Sequence, residues 1–213
     1  MSNLSDFLHH TLQQNGYSND ADKVSQYLAY LDLLTRWNKA FNLTSVRDPQ
    51  EMVILHIADS LSIHAFLHGT HIIDVGTGAG LPGIPLAILC PSIQFTLLDS
   101  NNKKTRFITQ AVHELRLPNV EVVHARTETY HPKTRFSSVL SRAFASIKVM
   151  LETTEHLIQP SGQFLAMKGT YPTEEIKAIP PRFTLNGTHP LTIHGLDAAR
   201  HVVCITKESS WQK

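Results

Sequence analysis

Residues 72–83 read Ile-Ile-Asp-Val-Gly-Thr-Gly-Ala-Gly-Leu-Pro-Gly. The two isoleucines are typical of a short buried strand, which ends in an acid at Asp74, and four glycines follow at positions 76, 78, 80 and 83. The apolar segment 84–89 then suits a helix. Glycine allows the backbone to approach a ligand closely, and the first turn of a helix presents unpaired N–H groups. The order strand, glycine-rich turn, helix therefore predicts a cofactor-binding loop.

Two kinds of cofactor fit this loop. The stretch 78–83 matches the G-x-G-x-x-G pattern of dinucleotide-binding folds, but in those folds the first glycine follows the strand directly. Here the turn begins earlier, at Gly76, behind the strand-tip acid. The pattern Asp-x-Gly-x-Gly-x-Gly resembles motif I of class I methyltransferases that use S-adenosylmethionine (SAM). Asp99 ends the next apolar run, 23 residues after Gly76, where both folds place an acid that binds ribose hydroxyls, so Asp99 leaves the two interpretations open.

Length and composition limit the possibilities. The chain has 213 residues, 42% of them hydrophobic, and a formal net charge of +1. This length predicts a single domain over 1–213, with a helical extension over 1–68 and an α/β core over 69–207. No apolar run approaches the roughly 20 residues of a membrane span, and the first ten residues lack a signal-peptide layout. Any nucleic-acid binding must use a local basic patch, because the net charge is small.

The cysteines and histidines give no metal pattern. Cys90 and Cys204 lie far apart in apolar contexts, which predicts reduced core thiols in a cytoplasmic protein. The 13 histidines are scattered, and no Cys or carboxylate stands near them at ligand spacing. We therefore expect no metal, and the lack of an apolar span predicts no membrane association.

Helical patterns come before the glycine loop. Residues 21–38 place apolar side chains at amphipathic spacing, residues 3–14 suggest a shorter helix, and 37–45 suggest an exit loop. Asp48 and Pro49 then provide the N-cap and first position of a third helix that runs to about residue 66. We predict three N-terminal helices.

Strand and helix patterns alternate after residue 70. Strands are predicted near 71–75, 94–98, 120–123, 137–141 and 163–168, and helices near 82–90, 103–116, 146–158 and 173–178. Such alternation is typical of a doubly wound parallel sheet. Two further strands, 182–193 and 201–206, follow without a helix between them. This terminal antiparallel hairpin favours a Rossmann-like, class I SAM-dependent methyltransferase fold with a seven-stranded, mostly parallel sheet, because a dinucleotide-binding domain ends on a parallel strand.

Six short motifs stand in order along the chain. They are Trp-Asn-Lys-Ala-Phe-Asn-Leu-Thr-Ser at 37–45, His-Ile-Ala-Asp-Ser at 56–60, the loop 74–85, Leu-Leu-Asp-Ser at 97–100, Leu-Ser-Arg-Ala-Phe-Ala at 140–145 and Met-Lys-Gly at 167–169. This ordered set resembles one family, the bacterial small-subunit rRNA methyltransferase G family, also called glucose-inhibited division protein B. The resemblance extends from about residue 24 to residue 206 and suggests a monomer.

The resemblance implies a function and a set of site residues. Members of the family methylate N7 of one guanine, position 527 in the 530 loop of 16S rRNA, so 16S rRNA, within the 30S subunit or a precursor, is the implied partner and SAM the implied cofactor. Arg142 and Lys168 are expected to orient the substrate, and Arg142, Lys168 and Arg200 to contact RNA. The expected cofactor-binding residues are Asp74, Gly76, Gly78, Gly80, Leu81, Asp99, Thr127, Glu128 and Arg142.

The chain lacks the motif of amino-group methyltransferases and a cysteine placed as a nucleophile, and methylation of guanine N7 needs neither. N7 has a free lone pair at neutral pH, so its methylation by in-line displacement needs orientation and no general base. The place after the fourth predicted strand holds Ser-Arg-Ala-Phe at 141–144, instead of the Asn/Asp-Pro-Pro-Tyr/Phe typical of amino-group methyltransferases. Neither cysteine is placed as a nucleophile.

The substrate surface is less defined by the sequence. Phe41 and Phe144 are candidates to stack on an extruded guanine, although both also suit a core. A SAM-dependent methyltransferase of another substrate, and a dinucleotide-binding protein, remain alternatives. Further candidate phosphate contacts are Arg36, Lys39, Arg47, Lys103, Lys104 and Arg106.

Overall fold

The computed structural model describes residues 2–207 and has a seven-stranded sheet of order β3-β2-β1-β4-β5-β7-β6. The first five strands in this order are parallel, and β7 runs antiparallel to both β5 and β6. The predicted fold is therefore confirmed. Met1 and 208–213, which belong to the predicted domain 1–213, lie outside the described residues. The strands are β1 His71–Val75, β2 Gln94–Asp99, β3 Val120–His124, β4 Phe136–Arg142, β5 Ile158–Lys168, β6 Phe183–Pro190 and β7 His201–Lys207.

Helices cover both faces of the sheet. One apolar cluster joins the N-terminal helices and the helices after β1 and β2 to the sheet, and a second lies under the helix after β4. None of the helices within residues 2–207 is long and apolar enough to cross a membrane. The α-helices are α1 Ser2–Gln14, α2 Ala21–Phe41, α3 Pro49–Met52, α4 Asp59–Leu61, α5 Gly83–Leu89, α6 Asn102–Glu114, α7 Ile147–Thr154 and α8 Thr173–Lys177.

Helix α2 anchors the N-terminal segment to the glycine loop. The Asp20 carboxylate caps its start by accepting from the Asp22 N–H at 3.0 Å. Its buried face carries Tyr30, whose hydroxyl donates to the Ala79 carbonyl within the loop at 2.8 Å. Tyr27, one turn earlier, donates to the Pro85 carbonyl at 3.3 Å. Two buried hydroxyls thus position the loop against this helix.

The end of α2 differs from the sequence prediction. Residues 37–41 are helical, so the predicted exit loop begins only at Asn42, which takes a left-handed conformation with φ of 50°. The buried Asn38 side chain accounts for the difference, because it accepts from the Thr44 N–H at 2.9 Å and so turns the following chain back on the helix. Because asparagine is common in turns, Asn38 in the sequence suggested a loop rather than a helix.

The third predicted helix is broken into parts. Between α3 and α4 the chain forms a wide π turn over Val53–Ala58, in which the Asp59 N–H donates to the Ile54 carbonyl. After α4 only a 3₁₀ turn, His64–Phe66, remains of the predicted helix to residue 66. π turns occur often at functional sites, and this one carries His56 into the molecule.

Strand β5 begins earlier than predicted. It starts at Ile158, which pairs with Phe136 at the start of β4, and α7 correspondingly ends at Thr154 rather than at 158. The stretch Pro-Ser-Gly at 160–162 obscured this start in the sequence, and the pairing with β4 shifts register there.

Candidate active site

The glycine loop leaves open backbone at the end of β1. Gly76 and Gly78 have φ of +67° and +64°, which side chains rarely allow. A Cβ at Gly78 would meet nothing nearer than the Gly76 carbonyl oxygen at 4.0 Å, and one at Gly76 would meet only the Phe144 ring, at 3.9 Å. The space beside these two residues is therefore open to a ligand.

Asp74 lies beneath the loop and is fully buried. Its Oδ2 accepts from the Thr77 hydroxyl at 2.6 Å and from the Gly83 N–H at 2.9 Å, while Oδ1 has no hydrogen-bond partner. Burial, the largest cause, raises the pKa of this carboxyl from 3.8 to about 7. The structure thus gives Asp74 a role in shaping the loop, and its predicted direct contact with a cofactor stays a prediction.

Asp99 lines a cleft of about 210 Å³ at the end of β2, which we call the Asp99 cleft. Its Oδ2 accepts from the Gly78 N–H at 3.0 Å, and its Oδ1 accepts from the Asn101 N–H at 2.8 Å. Four residues that the sequence assigned to a cofactor meet in this cleft. They are Gly76, Asp99, Thr127 and Glu128.

Gly80 and Leu81 do not line the Asp99 cleft. Both are buried within the loop, and a Cβ at Gly80 would meet the Ile84 side chain at 2.5 Å. Gly80 is thus required for packing of the loop on α5. The predicted cofactor contact of these two residues remains a prediction.

A second cavity, of about 510 Å³, lies beyond the end of β4, and we call it the Arg142 pocket. It brings together the three cations that the sequence assigned to the substrate, Arg142, Lys168 and Arg200. Residues of the segment after α2, of the π turn and the start of α4, and of the ends of β4 and β5 complete its lining. These are Thr44, Ser45, Val46, Leu55, His56, Asp59, Ala143, Met167 and Gly169.

Asp59 joins two of these cations. Its buried carboxylate lies 3.3 Å from Nη1 of Arg142 and 3.1 Å from Nε of Arg200. Arg142 also donates to the Leu55 carbonyl of the π turn at 3.0 Å. Sequence reasoning missed Asp59 as a site residue, although it falls within the motif at 56–60. The sequence feature that could have indicated Asp59 is its position as an acid within a largely apolar helical stretch.

Lys168 has a carboxylate partner of its own. Its Nζ lies 2.8 Å from Oε2 of Glu175, which also accepts from the Ile147 N–H at the start of α7 at 2.7 Å. All three predicted substrate cations are therefore ion-paired within the protein. Their positions are fixed in advance, and their charge is largely balanced.

His56 is buried in the wall of the Arg142 pocket. Its Nε2 lies 3.0 Å from the Thr44 hydroxyl, whose oxygen also accepts from the Val46 N–H. Burial and the nearby Arg142 guanidinium lower the pKa of His56 to about 4. The imidazole is therefore uncharged at neutral pH. His56 falls within the motif at 56–60, but this motif did not indicate where the side chain would lie.

The two cavities adjoin at the end of β4. Arg142 lines the Arg142 pocket and Phe144 lines the Asp99 cleft, and Ala143 stands between them with a φ of 58°. A left-handed conformation is unusual for alanine, and the side chains on either side of Ala143 line different cavities. Arg142 does not line the Asp99 cleft, so its predicted contact with the cofactor remains a prediction.

Two of the remaining candidate cations are ion-paired. Arg36 pairs with Asp32 and Glu114, and Lys104 lies 3.8 Å from Asp99 of the Asp99 cleft.

A separate cavity of about 620 Å³ lies at the starts of β1, β2 and β4, the edge opposite to that where open α/β sheets bind ligands. Within residues 2–207, no three His, Cys, Asp or Glu side chains form a metal-binding group.

The chain matches one protein family over most of its length. Residues 23–203 match the model of a family described as rRNA small subunit methyltransferase G. Proteins named ribosomal RNA small subunit methyltransferase G are similar to this chain. The one from Idiomarina loihiensis is 49% identical over 88% of this chain and 91% of its own length. Those from Pseudomonas aeruginosa and Photobacterium profundum are 49% and 50% identical over 90% and 86% of this chain, and over 90% and 89% of their own lengths.

Solved structures support the fold. A glycopeptide N-methyltransferase, MtfA, complexed with SAM aligns over 72% of this chain and 88% of its own, with a TM-score of 0.62 and 10% identity. A SAM-dependent methyltransferase from Aquifex aeolicus aligns over 77% of this chain and 96% of its own, with a TM-score of 0.60 and 15% identity. At such identities these similarities show the class I SAM-dependent methyltransferase fold alone.

Asp59→Ala should destabilise the protein, because it leaves Arg142 and Arg200 without their shared carboxylate. We expect a loss of about 2–3 kcal/mol in the free energy of unfolding, somewhat below that of a fully buried pair because both arginines keep some contact with water. Urea denaturation measures this. Asp32→Ala, which removes an exposed ion pair with Arg36, is the control and should cost under about 0.5 kcal/mol. Equal effects of the two variants would contradict the role of Asp59.

The raised pKa of Asp74 should make stability depend on pH. The folded protein retains the Asp74 proton up to about pH 7, whereas the unfolded chain loses it near 3.8, so this contribution to stability falls as the pH rises through that interval. We expect the stability of the wild type relative to Asp74→Asn to fall by about 2–3 kcal/mol between pH 5 and pH 7. Urea denaturation at each pH measures the difference, and a constant difference would show that the buried carboxyl keeps an ordinary pKa.

Proposed function

The chain belongs to the rRNA small subunit methyltransferase G family, and from this premise we propose that it transfers a methyl group from SAM to N7 of a guanine in 16S rRNA. The observation that carries the proposal is the meeting of the Asp99 cleft and the Arg142 pocket across Ala143. Two adjoining cavities of different polarity suit a cofactor and a nucleobase that must come into contact.

The residues of the Asp99 cleft fit SAM. The open backbone at Gly76 and Gly78 accommodates a ligand that a Cβ would exclude, and the buried carboxylate of Asp99 is an acceptor for ribose hydroxyls. Glu128 and Thr127 line the far wall, where the adenine would lie. Bound SAM would supply a methyl group already activated by its sulfonium.

The Arg142 pocket suits the target guanine. Its volume of about 510 Å³ lies within the range of ligand sites, and it combines apolar walls with fixed guanidinium and ammonium groups. Because Asp59 and Glu175 hold Arg142, Arg200 and Lys168 in place, these donors are preorganised to orient the base and its sugar–phosphate.

The chain need not remove a proton in this reaction. Guanine N7 has a free lone pair, so in-line displacement of the methyl group requires only that the base be held in position. The groups around the Arg142 pocket agree with this. His56, whose pKa is lowered to about 4, is a weak proton acceptor, and the Asp59 carboxylate is occupied by two arginines. We assign these residues to positioning the substrate.

We further propose that the substrate is guanine 527 of the 530 loop, presented within the 30S subunit or a precursor, and that the protein acts as a cytoplasmic monomer. The net charge of +1 supports a shaped ribonucleoprotein over naked RNA as the substrate, because affinity for a bare strand depends on unbalanced positive charge.

A methyl-transfer assay tests the proposal. Labelled SAM is incubated with the protein and either 30S subunits lacking this modification or the naked 16S rRNA from them, and 7-methylguanine is mapped. We expect label at a single guanine of the 530 loop. Label at another base or atom would contradict the assigned substrate. SAM binding without label on either RNA would direct the search to a SAM-dependent methyltransferase of a different substrate.

Asp99→Asn should weaken SAM binding. The variant keeps one oxygen for the Gly78 N–H but loses the charge that strengthens a hydrogen bond to ribose, at a cost of about 1.5–3 kcal/mol in binding free energy. Calorimetric titration with SAM measures the dissociation constant. Glu121→Gln, which changes a carboxylate lining the cavity at the opposite sheet edge, should bind SAM as the wild type does. An unchanged affinity in Asp99→Asn would remove Asp99 from the proposed site.

A further inference from the structure

A further cavity, of about 430 Å³, lies between α2, α6 and β3, and it shares no residue with the Asp99 cleft or the Arg142 pocket. We call it the Trp37 groove. Its lining combines one large aromatic ring with amide, imidazole and guanidinium groups, and contains no carboxylate. The side chains that carry these groups are Trp37, Asn102, Arg106, Gln110 and His124.

The Trp37 groove lies beside the Asp99 cleft. His124 is the last residue of β3, and its Nε2 lies 3.1 Å from the carbonyl oxygen of Ser100, which lines the Asp99 cleft. Asn102 begins α6 three residues after Asp99. The groove therefore opens at the same edge of the sheet as the proposed cofactor and guanine cavities.

The aromatic wall of the groove is fixed and extends to the surface. Trp37 packs edge-on against the buried Phe107, with 5.7 Å between ring centroids. On its other side it stacks with Phe41 at 5.2 Å and 37° between the ring planes, and Phe41 is 40% exposed. The residues that follow Phe41 lead into the Arg142 pocket, whose wall contains Thr44 and Val46. Trp37 and Phe41 thus form an aromatic pair on α2, and the chain that follows them forms part of the wall of that pocket.

The cations at the groove are unpaired, in contrast to those of the Arg142 pocket. Arg106 lines the groove, is exposed and forms no ion pair within residues 2–207. Lys103 on α6 and Lys39 on α2 are likewise exposed and form no ion pair in the described part of the chain. Arg142, Lys168 and Arg200 share two carboxylates, whereas Arg106, Lys103 and Lys39 keep their full charge, which is available for phosphates.

We propose that the Trp37 groove binds a nucleotide of single-stranded RNA that neighbours the target guanine, with its base against the Trp37 and Phe41 rings and its phosphate on Arg106. Aromatic rings paired with unbalanced cations are the usual components of single-strand binding, and guanidinium groups serve phosphates well. The side chains of Asn102, Gln110 and His124 supply hydrogen-bonding groups for the base edge. The inference rests on the proposed function, since it takes RNA as the substrate.

Arg106 provides the first test, because truncation of this exposed side chain leaves the core intact. The variants are Arg106→Ala, Arg106→Lys, and Arg135→Ala as a matched control, since Arg135 is exposed and immediately precedes β4 at the opposite sheet edge. Methyl transfer to 30S subunits lacking the modification gives kcat and KM at several salt concentrations, and titration with SAM gives the cofactor dissociation constant.

For Arg106→Ala we expect KM for the subunit to rise about tenfold with kcat and SAM affinity unchanged, and the salt slope of kcat/KM to fall by about one unit. Arg106→Lys should recover the salt slope, and Arg135→Ala should match the wild type. An Arg106→Ala enzyme with wild-type KM and salt slope would overturn the inference while leaving the proposed function intact. Absence of rRNA methylation by the wild type would instead refute the proposed function, and the inference with it.

Tryptophan fluorescence tests the stacking directly. The chain has two tryptophans, so Trp211→Phe leaves Trp37 as the single emitter. We expect unmodified rRNA, which contains no tryptophan, to quench this emission, and SAM alone to leave it unchanged, because stacking of a base on Trp37 requires RNA. Emission unaffected by saturating rRNA, at concentrations that support methylation, would exclude a base against Trp37.

Discussion

The reversal of strand order between β1 and β4 is the constraint on which the site depends. Chain connections run outward in one direction from β1 to β3 and in the other from β4 onward, so no connection crosses above the ends of β1 and β4. This leaves a crevice at the carboxyl edge of the sheet, the usual place for ligands in open α/β folds. The glycine loop, Asp99 and Arg142 all lie at strand ends that face this crevice. Their proximity follows from topology before any side-chain contact is considered.

The N-terminal helices complete this crevice through buried polar contacts. The Asp59 carboxylate joins the helical segment before the sheet to Arg142 on β4 and Arg200 before β7, residues separated by 83 and 141 positions from it. Removing charges from water is costly unless each is well paired. Because the three charges are paired only when their segments lie in this arrangement, the bridge favours this arrangement over others. The Tyr30 hydroxyl likewise joins α2 to the glycine loop, through its hydrogen bond to the Ala79 carbonyl. The helices are therefore part of the wall of the site.

Much of the fold and part of the site were predictable from sequence, for identifiable reasons. Strand–glycine–helix order and the terminal hairpin are local patterns, and they indicated the sheet, the loop and Asp99. The ion pairs of Asp59 and Glu175 join residues distant in sequence, so no local pattern reveals them. The π turn was missed because its apolar spacing resembles that of an α-helix. Helix α2 was predicted too short because Asn38 and Asn42 look like loop residues in the sequence. In the structure Asn38 is buried and Asn42 caps the helix.

The pairing of the site cations bears on how the protein recognises its substrate. Basic residues at the end of a sheet suggest a strong positive field, yet in the Arg142 pocket the carboxylates of Asp59 and Glu175 balance much of the charge of Arg142, Arg200 and Lys168. With a net charge of +1, the molecule as a whole also attracts polyanions weakly. In the proposed complex, selection comes from the fit of donors that are already in place, because fixed dipoles and ion pairs need no rearrangement when the base enters. Association with the proposed RNA substrate then depends on unpaired cations outside the pocket, such as Arg106. Affinity and specificity would thus reside on different parts of the same edge, so that substitutions at one part can change binding without altering the chemistry at the other.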